Sequence, residues 1–448
     1  MEVTLQTPGG LRRELHVRLP AERLNDAFNA RLKRMAARAK VPGFRPGKAP
    51  RKVLEQQYGD AARFDAINDL VNETYPAAVQ QSGVTPAGQP QIDITTEKAG
   101  EPLEYVAKFE VYPEITLSGL EGIVIDKPDV AVSDADVDRL IDNLRRAKRS
   151  FSPVQRAAEK GDNVTIDFVG KIDGEAFDGG SGSDVKVELG EGRFLPDLEK
   201  GIEGHAVGDN FTVNVDFPDD YGAEQLRGKQ AQFDVNLKQV EGAQMPDVAD
   251  PEFLSSHQID PEGGVASLRE KCHAALVKQR DKAIRNNVKQ QVMEALLKAN
   301  EIEVPDALVS DELPRMQQEA AQRMGLQNLE KISPEQLDQM LPASLFEPQA
   351  KRRVALGLLV GEVIKTREIK LDAERVNTEI DQIAADYDTP EQVKQFYRSR
   401  PDLLQGLRAM VLEEQVVESL VASATVNSVT RSLDELLRPQ QQQQGLPG

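Results

Sequence analysis

Apolar positions alternate at the start of the chain, recur at helical spacing in long later stretches, and are interrupted between them by glycine. Residues 2 to 19 alternate about Pro8-Gly9-Gly10, with Leu15, Val17 and Leu19 on one face, which predicts a hairpin. From about Ala21 the period lengthens. Leu24, Phe28, Leu32 and Met35 fall on one side of a helix, leaving Arg31, Lys33, Arg34 and Arg38 mostly on the outer side. A second helical stretch is expected to reach about Gln81, with strands at Gln91 to Thr96 and Tyr105 to Val111, so an α+β domain should end near Tyr112-Pro113.

Between Pro113 and about Phe151 the pattern predicts a helical connector. Its helix starts at the cap Ser133, with Asp136 three residues on and Val137, Leu140, Ile141 and Leu144 as its stripe. From Lys160 to Val240 the runs are short and β-rich (Val164 to Val169, Asp184 to Leu189, Phe211 to Val215, Ala231 to Val240) and punctuated by glycine, predicting a compact β-rich domain. Within it, Gly179-Gly180-Ser181-Gly182 lacks the Lys-Ser/Thr of a phosphate loop and reads as a flexible connection. From about Pro246 the pattern turns helical and stays so to about Leu437. Leu268, Cys272, Leu276, Val288, Val292 and Leu296 lie near one face of a helix from Val265 to Ala299, long enough to act as a strut. The polar end, Pro439 to Gly448, is expected to be disordered.

Composition narrows the class. At 448 residues the chain is too long for one core, and 29% charged with 39% hydrophobic residues fits soluble globular domains. No run approaches the roughly 20 apolar residues of a membrane span, and Met1 to Gln6 does not open a signal peptide, so a cytoplasmic protein without a membrane partner is expected. The single cysteine, Cys272, excludes an internal disulfide and fits a reducing compartment. His16, His205, His257 and His273 show no ligand spacing, so neither a metal nor a cofactor is expected.

Charge adds a local exception. The net charge is -19, yet Arg31, Lys33, Arg34, Arg38, Lys40, Arg45, Lys48, Arg51 and Lys52 follow one another with no acidic residue among them. In their midst Val41 to Pro50 reads Val-Pro-Gly-Phe-Arg-Pro-Gly-Lys-Ala-Pro, which breaks any helix and leaves Phe44 and Arg45 on a loop tip. A cationic tip on an acidic chain would seek a polyanion while the remainder is repelled, confining docking to one end. A solvated basic helix face is the alternative from the charge run alone.

Gly43, Phe44, Arg45, Gly47 and Pro50 resemble the Gly-Phe-Arg-x-Gly-x-x-Pro ribosome-docking signature of bacterial trigger factors, with Pro46 where that family usually has Lys. The resemblance implies ribosome contact through Gly43, Phe44, Arg45, Pro46, Gly47 and Lys48. Residues 160 to 240 resemble FKBP-type peptidyl-prolyl isomerases at Gly161-Asp162, Phe168-Val169-Gly170, Asp173-Gly174, Phe177-Asp178, Leu189-Gly190, Gly201, Gly204, Gly208, Tyr221-Gly222 and Phe233-Asp234-Val235. Leu345-Phe346-Glu347, Gln349 to Val354, Gly357 to Ile364 and Val393 to Tyr397 are similar to the trigger-factor carboxy-terminal domain.

An X-Pro bond turns slowly because amide resonance sets a barrier of roughly 18 to 20 kcal/mol. An apolar pocket that strips water from the planar amide lowers that barrier without nucleophile or metal. The resemblance implies that Phe168, Phe177, Phe194, Leu195, Leu198, Tyr221 and Phe233 line such a pocket, with Asp178 its polar member and the Tyr221 hydroxyl offered to a substrate carbonyl. Leu198 stands where the usual floor is Trp, and Phe168 where a Tyr is frequent.

The fold class expected is therefore multidomain α+β: a ribosome-binding domain (1–112), a connector (113–150), an FKBP-like β-rich domain (151–245), an all-helical carboxy-terminal chaperone domain (246–437) and a tail (438–448). Implied partners are the large ribosomal subunit near the exit tunnel, through protein and rRNA, and nascent or unfolded polypeptides, held without ATP. A homodimer of the free protein is compatible with the resemblance. Met316, Met324 and Met340 are adaptable enough for unrelated clients, although core filling is the weightier reading of each and no client-contact residue is named. A stand-alone isomerase and a general RNA-binding protein remain the alternatives.

Overall fold

The computed structural model describes residues 1–38, 44, 50–98, 100–192, 194–219, 221–326, 332–385, 387 and 389–438. Strands β1 (Glu2–Gly9) and β2 (Arg12–Leu19) form the opening hairpin. Its turn includes Gly10 at φ +52°, a left-handed conformation that costs glycine little. Helices α1 (Ala21–Arg38) and α2 (Arg51–Ser82) follow, then β3 (Gln91–Thr96) and β4 (Leu103–Glu110). The sheet order is β1-β2-β4-β3, and Leu15, Val17, Leu19 and Tyr105 meet Ile67 and Leu70 of α2 in one core. Leu32 packs on Leu54 and Ala62, with Phe28 and Met35 beside them. Arg31 departs from its expected outward place. Its guanidinium is half-buried 2.9 Å from Asp65 and 3.6 Å from Asp69 on α2, so it ties the two helices together instead of facing solvent.

After β5 (Val124–Asp129), α3 (Asp134–Ala147) begins at Ser133 as expected. The Ser133 hydroxyl accepts the Asp136 N–H, and the Asp136 carboxylate accepts the Ser133 N–H at 2.8 Å. Strands β6 (Ser150–Pro153), β7 (Asn163–Ile172), β8 (Glu175–Glu188), β9 (Asn210–Asp216) and β10 (Gln230–Gln244) form an antiparallel sheet ordered β6-β10-β7-β8, with β9 also on β10 and α4 (Pro196–Ile202) packed against β9. The Gly179–Gly182 run is not a connection. It lies within β8, where Gly182 pairs with Phe168 and Ser181 with Val169 of β7. Its glycines are read correctly only once the sheet register shows what lies against them.

Helices α5 (Pro251–Ser256) and α6 (Gly264–Ala299) come next. Leu268, Cys272 and Leu276 pack with Val137, Ile141, Phe253 and Leu254, while Val292 and Leu296, farther along α6, join Leu359, Val363, Val416 and Leu420. After α6 come α7 (Asp306–Arg323), α8 (Pro334–Met340), α9 (Ala343–Thr366), which carries Leu359 and Val363, α10 (Ala373–Ala385), α11 (Pro390–Ser399) and α12 (Pro401–Ala422), which carries Val416 and Leu420, followed by β11 (Thr425–Thr430) and α13 (Leu433–Leu437). The helical stretch expected to continue to Leu437 is thus interrupted. Thr425, Val426, Val429 and Thr430 are β-branched, and the segment pairs with β5 as a two-stranded sheet. Met316 is buried between α7 and α9, whereas Met324 and Met340 are exposed.

Contacts divide the chain into two compact units, 1–127 with 286–428 and 128–285 with 429–448. Within the first, the amino-terminal sheet seats on the start of α7: Glu110 accepts the Ala307 N–H at 3.0 Å, and a Cβ on Gly88 would lie only 2.6 Å from that of Ala307. No helix among the described residues is long and apolar enough to cross a membrane. The tail from 439 onward lies outside the described residues.

Candidate functional site

Side chains alternate across a strand, so Val164, Ile166 and Phe168 of β7 face the same way as Ala231, Phe233, Val235 and Leu237 of β10, and all seven enter one apolar cluster. Phe168 and Phe233 approach at 5.9 Å between ring centroids, and Phe177 of β8 meets Phe233 edge-on at 6.1 Å. Phe177 also meets Phe217 at 6.1 Å, and Phe217 meets Tyr221 at 4.8 Å. Edge-on and tilted pairs of this kind add about 0.5 to 1.5 kcal/mol each beyond burial. Phe217, just after β9 and only 4% exposed, is the link the sequence reading omitted; its place as the next member of the alternation Phe211, Val213, Val215 was the available signal.

Glycine makes this aromatic wall possible. A Cβ on Gly170 would stand 2.8 Å from both the Phe177 and Phe233 rings, and one on Gly180 would stand 2.6 Å from Phe177. The Phe177 ring therefore lies directly against backbone of β7 and β8. A Cβ on Gly182 would similarly press on Phe168 at 2.9 Å.

The other expected pocket residues flank this wall. Leu195 precedes α4 as its cap residue, Leu198 is buried in the first turn, and Phe194 and Leu195 are half-buried against the same cluster. Tyr221 is half-buried and its hydroxyl has no hydrogen-bond partner among the described residues, which leaves it free to donate to a carbonyl. Asp178, the neighbour of Phe177 on β8, is exposed and stands outside the apolar cluster. Such a wall can grip a proline ring and desolvate its amide, a task that requires no proton transfer.

A carboxylate clasp supports the entrance to β7. Arg156 donates to both oxygens of buried Asp162, at 2.6 and 2.9 Å, and the Glu159 N–H donates at 2.9 Å. Burial pushes the Asp162 carboxyl up, but the Arg156 guanidinium and the backbone donors outweigh it and hold the group below the usual carboxylate range. The Asp162 carbonyl in turn accepts the Leu189 N–H at 2.9 Å, joining the start of β7 to the end of β8.

Of the cationic tip, Phe44 is exposed at 42%, while Gly43, Arg45, Pro46, Gly47 and Lys48 lie outside the described residues. Lys33, Arg34 and Lys52 on the flanking helices are exposed with no acidic partner among the described residues. Arg51 donates to Glu55 at 2.6 Å and to Asn29 at 2.7 Å, and Arg31 is held by Asp65. Two of the cations in the run are thus already neutralised within the fold.

Sequence profiles of known families match three successive parts of the chain. Residues 1–144 match bacterial trigger factor protein, 154–238 match FKBP-type peptidyl-prolyl cis-trans isomerase, and 264–422 match the bacterial trigger factor C-terminus. The trigger factor of Teredinibacter turnerae is 41% identical over 445 residues, covering 99% of each chain. That of Thioalkalivibrio sulfidiphilus is 41% identical over 442 residues, again 99% of each. A solved structure of a trigger factor chaperone, from work on promiscuous substrate recognition in its folding and assembly activities, covers 94% of this chain and 99% of its own at 19% identity, with a TM-score of 0.46. Full-length identity and the three ordered matches place the chain in the trigger factor family, with an FKBP-type peptidyl-prolyl cis-trans isomerase domain between its amino- and carboxy-terminal regions.

Proposed function

We propose that the chain is a ribosome-associated, ATP-independent chaperone that shields nascent polypeptides and isomerises their X-Pro bonds. The observation that carries this reading is full-length likeness to trigger factors at 41% identity, accompanied by an aromatic wall in the FKBP-type region. Ribosome contact is assigned to Gly43, Phe44, Arg45, Pro46, Gly47 and Lys48 in a domain spanning 1–112. Isomerisation is assigned to Phe168, Phe177, Asp178, Phe194, Leu195, Leu198, Tyr221 and Phe233 in a domain spanning 151–245, after a connector of 113–150. Clients are held by the helical region 246–437, ahead of the tail 438–448.

The isomerase works by exclusion. The ring of a substrate proline sits against Phe177, Phe233 and Tyr221, water leaves the amide, and the charge-separated planar ground state loses more than the twisted transition state. The Tyr221 hydroxyl orients the substrate carbonyl. The anchor works by the reverse principle: cations meet rRNA phosphates and Phe44 adds apolar contact on ribosomal protein or RNA beside the exit tunnel. A homodimer of the free protein is compatible with this reading, and its place is the cytoplasm, where nascent chains emerge.

Ribosome pelleting over a salt series, with a prolyl-peptide isomerisation assay on the same preparation, tests this function. Binding that weakens steeply with salt, together with catalysed isomerisation, is expected. Isomerase activity without pelleting at low salt would leave a stand-alone isomerase.

A further inference from the structure

Glu199 is only 4% exposed, in the first turn of α4, and neither the aromatic wall nor the Asp162 clasp uses it. Its carboxylate meets no cation among the described residues. Instead it accepts backbone N–H groups: Gly190 at 2.9 Å and Gly192 at 3.4 Å on Oε2, and Phe194 at 3.1 Å on Oε1. Gly190 and Gly192 have φ of +88° and +69°. Left-handed residues at alternating positions turn the amides of Gly190, Gly192 and Phe194 toward one point, an anion-binding concavity that here is filled by the chain's own carboxylate.

The segment so gathered continues directly into Phe194 and Leu195, and Glu199 adjoins Leu198. One side chain therefore joins the loop that carries two pocket residues to the helix that carries a third. Helix α4 does not need Glu199 to stay in place. Leu198 and Ile202 are buried in the apolar core, and Gly201 lies so close to β9 that a Cβ there would stand 2.3 Å from Val213. Loss of the carboxylate would release the loop and leave the helix seated.

We propose that Glu199 is a positioning residue of the isomerase: it holds Phe194 and Leu195 against Leu198 so that the pocket closes over the prolyl amide. This rests on the isomerase reading of the aromatic wall. Phe177, Phe233 and Tyr221 would still take up substrate when the loop loosens, so the defect should fall on the twisting step rather than on binding.

The test is isomerisation of a prolyl peptide by the full chain, with kcat and KM determined separately for wild type, Glu199→Ala and Glu199→Gln at a temperature where each is folded. Glu199→Ala should lower kcat by about 10- to 100-fold, the scale set by a small misplacement of reacting groups. KM should change by less than about threefold, as when an interaction is made in the transition state alone. Glu199→Gln keeps one acceptor oxygen and should fall between the two, and amide hydrogen exchange at Gly190, Gly192 and Phe194 should quicken in both variants. Unchanged kcat in folded Glu199→Ala would overturn the proposal, as would a loss that merely follows the unfolded fraction. If Glu199→Ala does not fold, unchanged kcat in Glu199→Gln despite faster exchange overturns it equally. An inactive wild type would instead remove the isomerase reading beneath it.

Discussion

As proposed above, the FKBP-type pocket and the amino-terminal anchor both centre on phenylalanine and use it in opposite ways. Phe233 is 5% exposed, fixed on a central strand and in contact with Phe168 and Phe177, whereas Phe44 is 42% exposed and falls in sequence between α1 and α2, which carry exposed Lys33, Arg34 and Lys52. A catalyst that acts by removing water needs its apolar wall complete before substrate arrives, and a sheet with close-packed glycines provides it. A docking tip must leave its apolar surface open for the partner to cover. The chain therefore keeps the two activities in separable places, and damage to one should spare the other.

The largest effect that would sharpen this contrast is expected from Phe233→Ala. It removes a buried ring at the meeting point of Phe168 and Phe177, so the FKBP-type domain should lose about 3 to 5 kcal/mol of stability, read by denaturant unfolding of that domain, along with its isomerase activity. Ribosome pelleting should persist. Gly180→Ala should follow, because the added methyl meets the Phe177 ring at 2.6 Å. Overpacking of this kind costs about 1 to 3 kcal/mol and should reduce isomerisation of a prolyl peptide by displacing the ring. Wild-type activity in that variant would mean that the ring placement matters little.

Acid should act on the pocket side through Asp162. Its carboxyl titrates lower in the fold than in the unfolded chain, so its stabilising contribution is present above about pH 4 and is lost as pH falls through the depressed value. Removing the guanidinium in Arg156→Ala raises that value, so acid unfolding of the FKBP-type domain, followed by tyrosine fluorescence, should begin at a higher pH than in wild type. The smallest effect belongs to the anchor. Arg31 is held by Asp65, so Arg31→Ala should alter the salt dependence of ribosome pelleting less than Arg34→Ala does. Equal changes would show that Arg31 leaves Asp65 to meet the ribosome.

Local features of this fold were legible in the sequence, and long-range ones were not. The Ser133 cap and the stripes Leu24-Phe28-Leu32 and Leu268-Cys272-Leu276 depend on neighbours a turn apart, and they stand as read, Leu24 packing under the sheet and Phe28 and Leu32 on α2. The order of aromatic and glycine residues identified the isomerase region. Gly179 to Gly182 was misread because the rings it accommodates are set by sheet register, and Phe217 was missed because the Phe177 ring that ties it to the wall comes from a distant strand. Glu199 gave no signal, since its donors are backbone amides that only a left-handed loop brings together. Arg31 finds Asp65 on the next helix, and β11 finds β5 from the far end of the chain. Neither pairing has a local cue.

The separation of anchor from catalyst is tested most directly by the triple variant Phe44→Ala, Arg45→Ala, Pro46→Ala, compared with wild type for ribosome pelleting at low salt and prolyl-peptide isomerisation. The account predicts that pelleting is lost while the isomerisation rate stays at the wild-type value. Undiminished pelleting, or loss of both activities together, would contradict it.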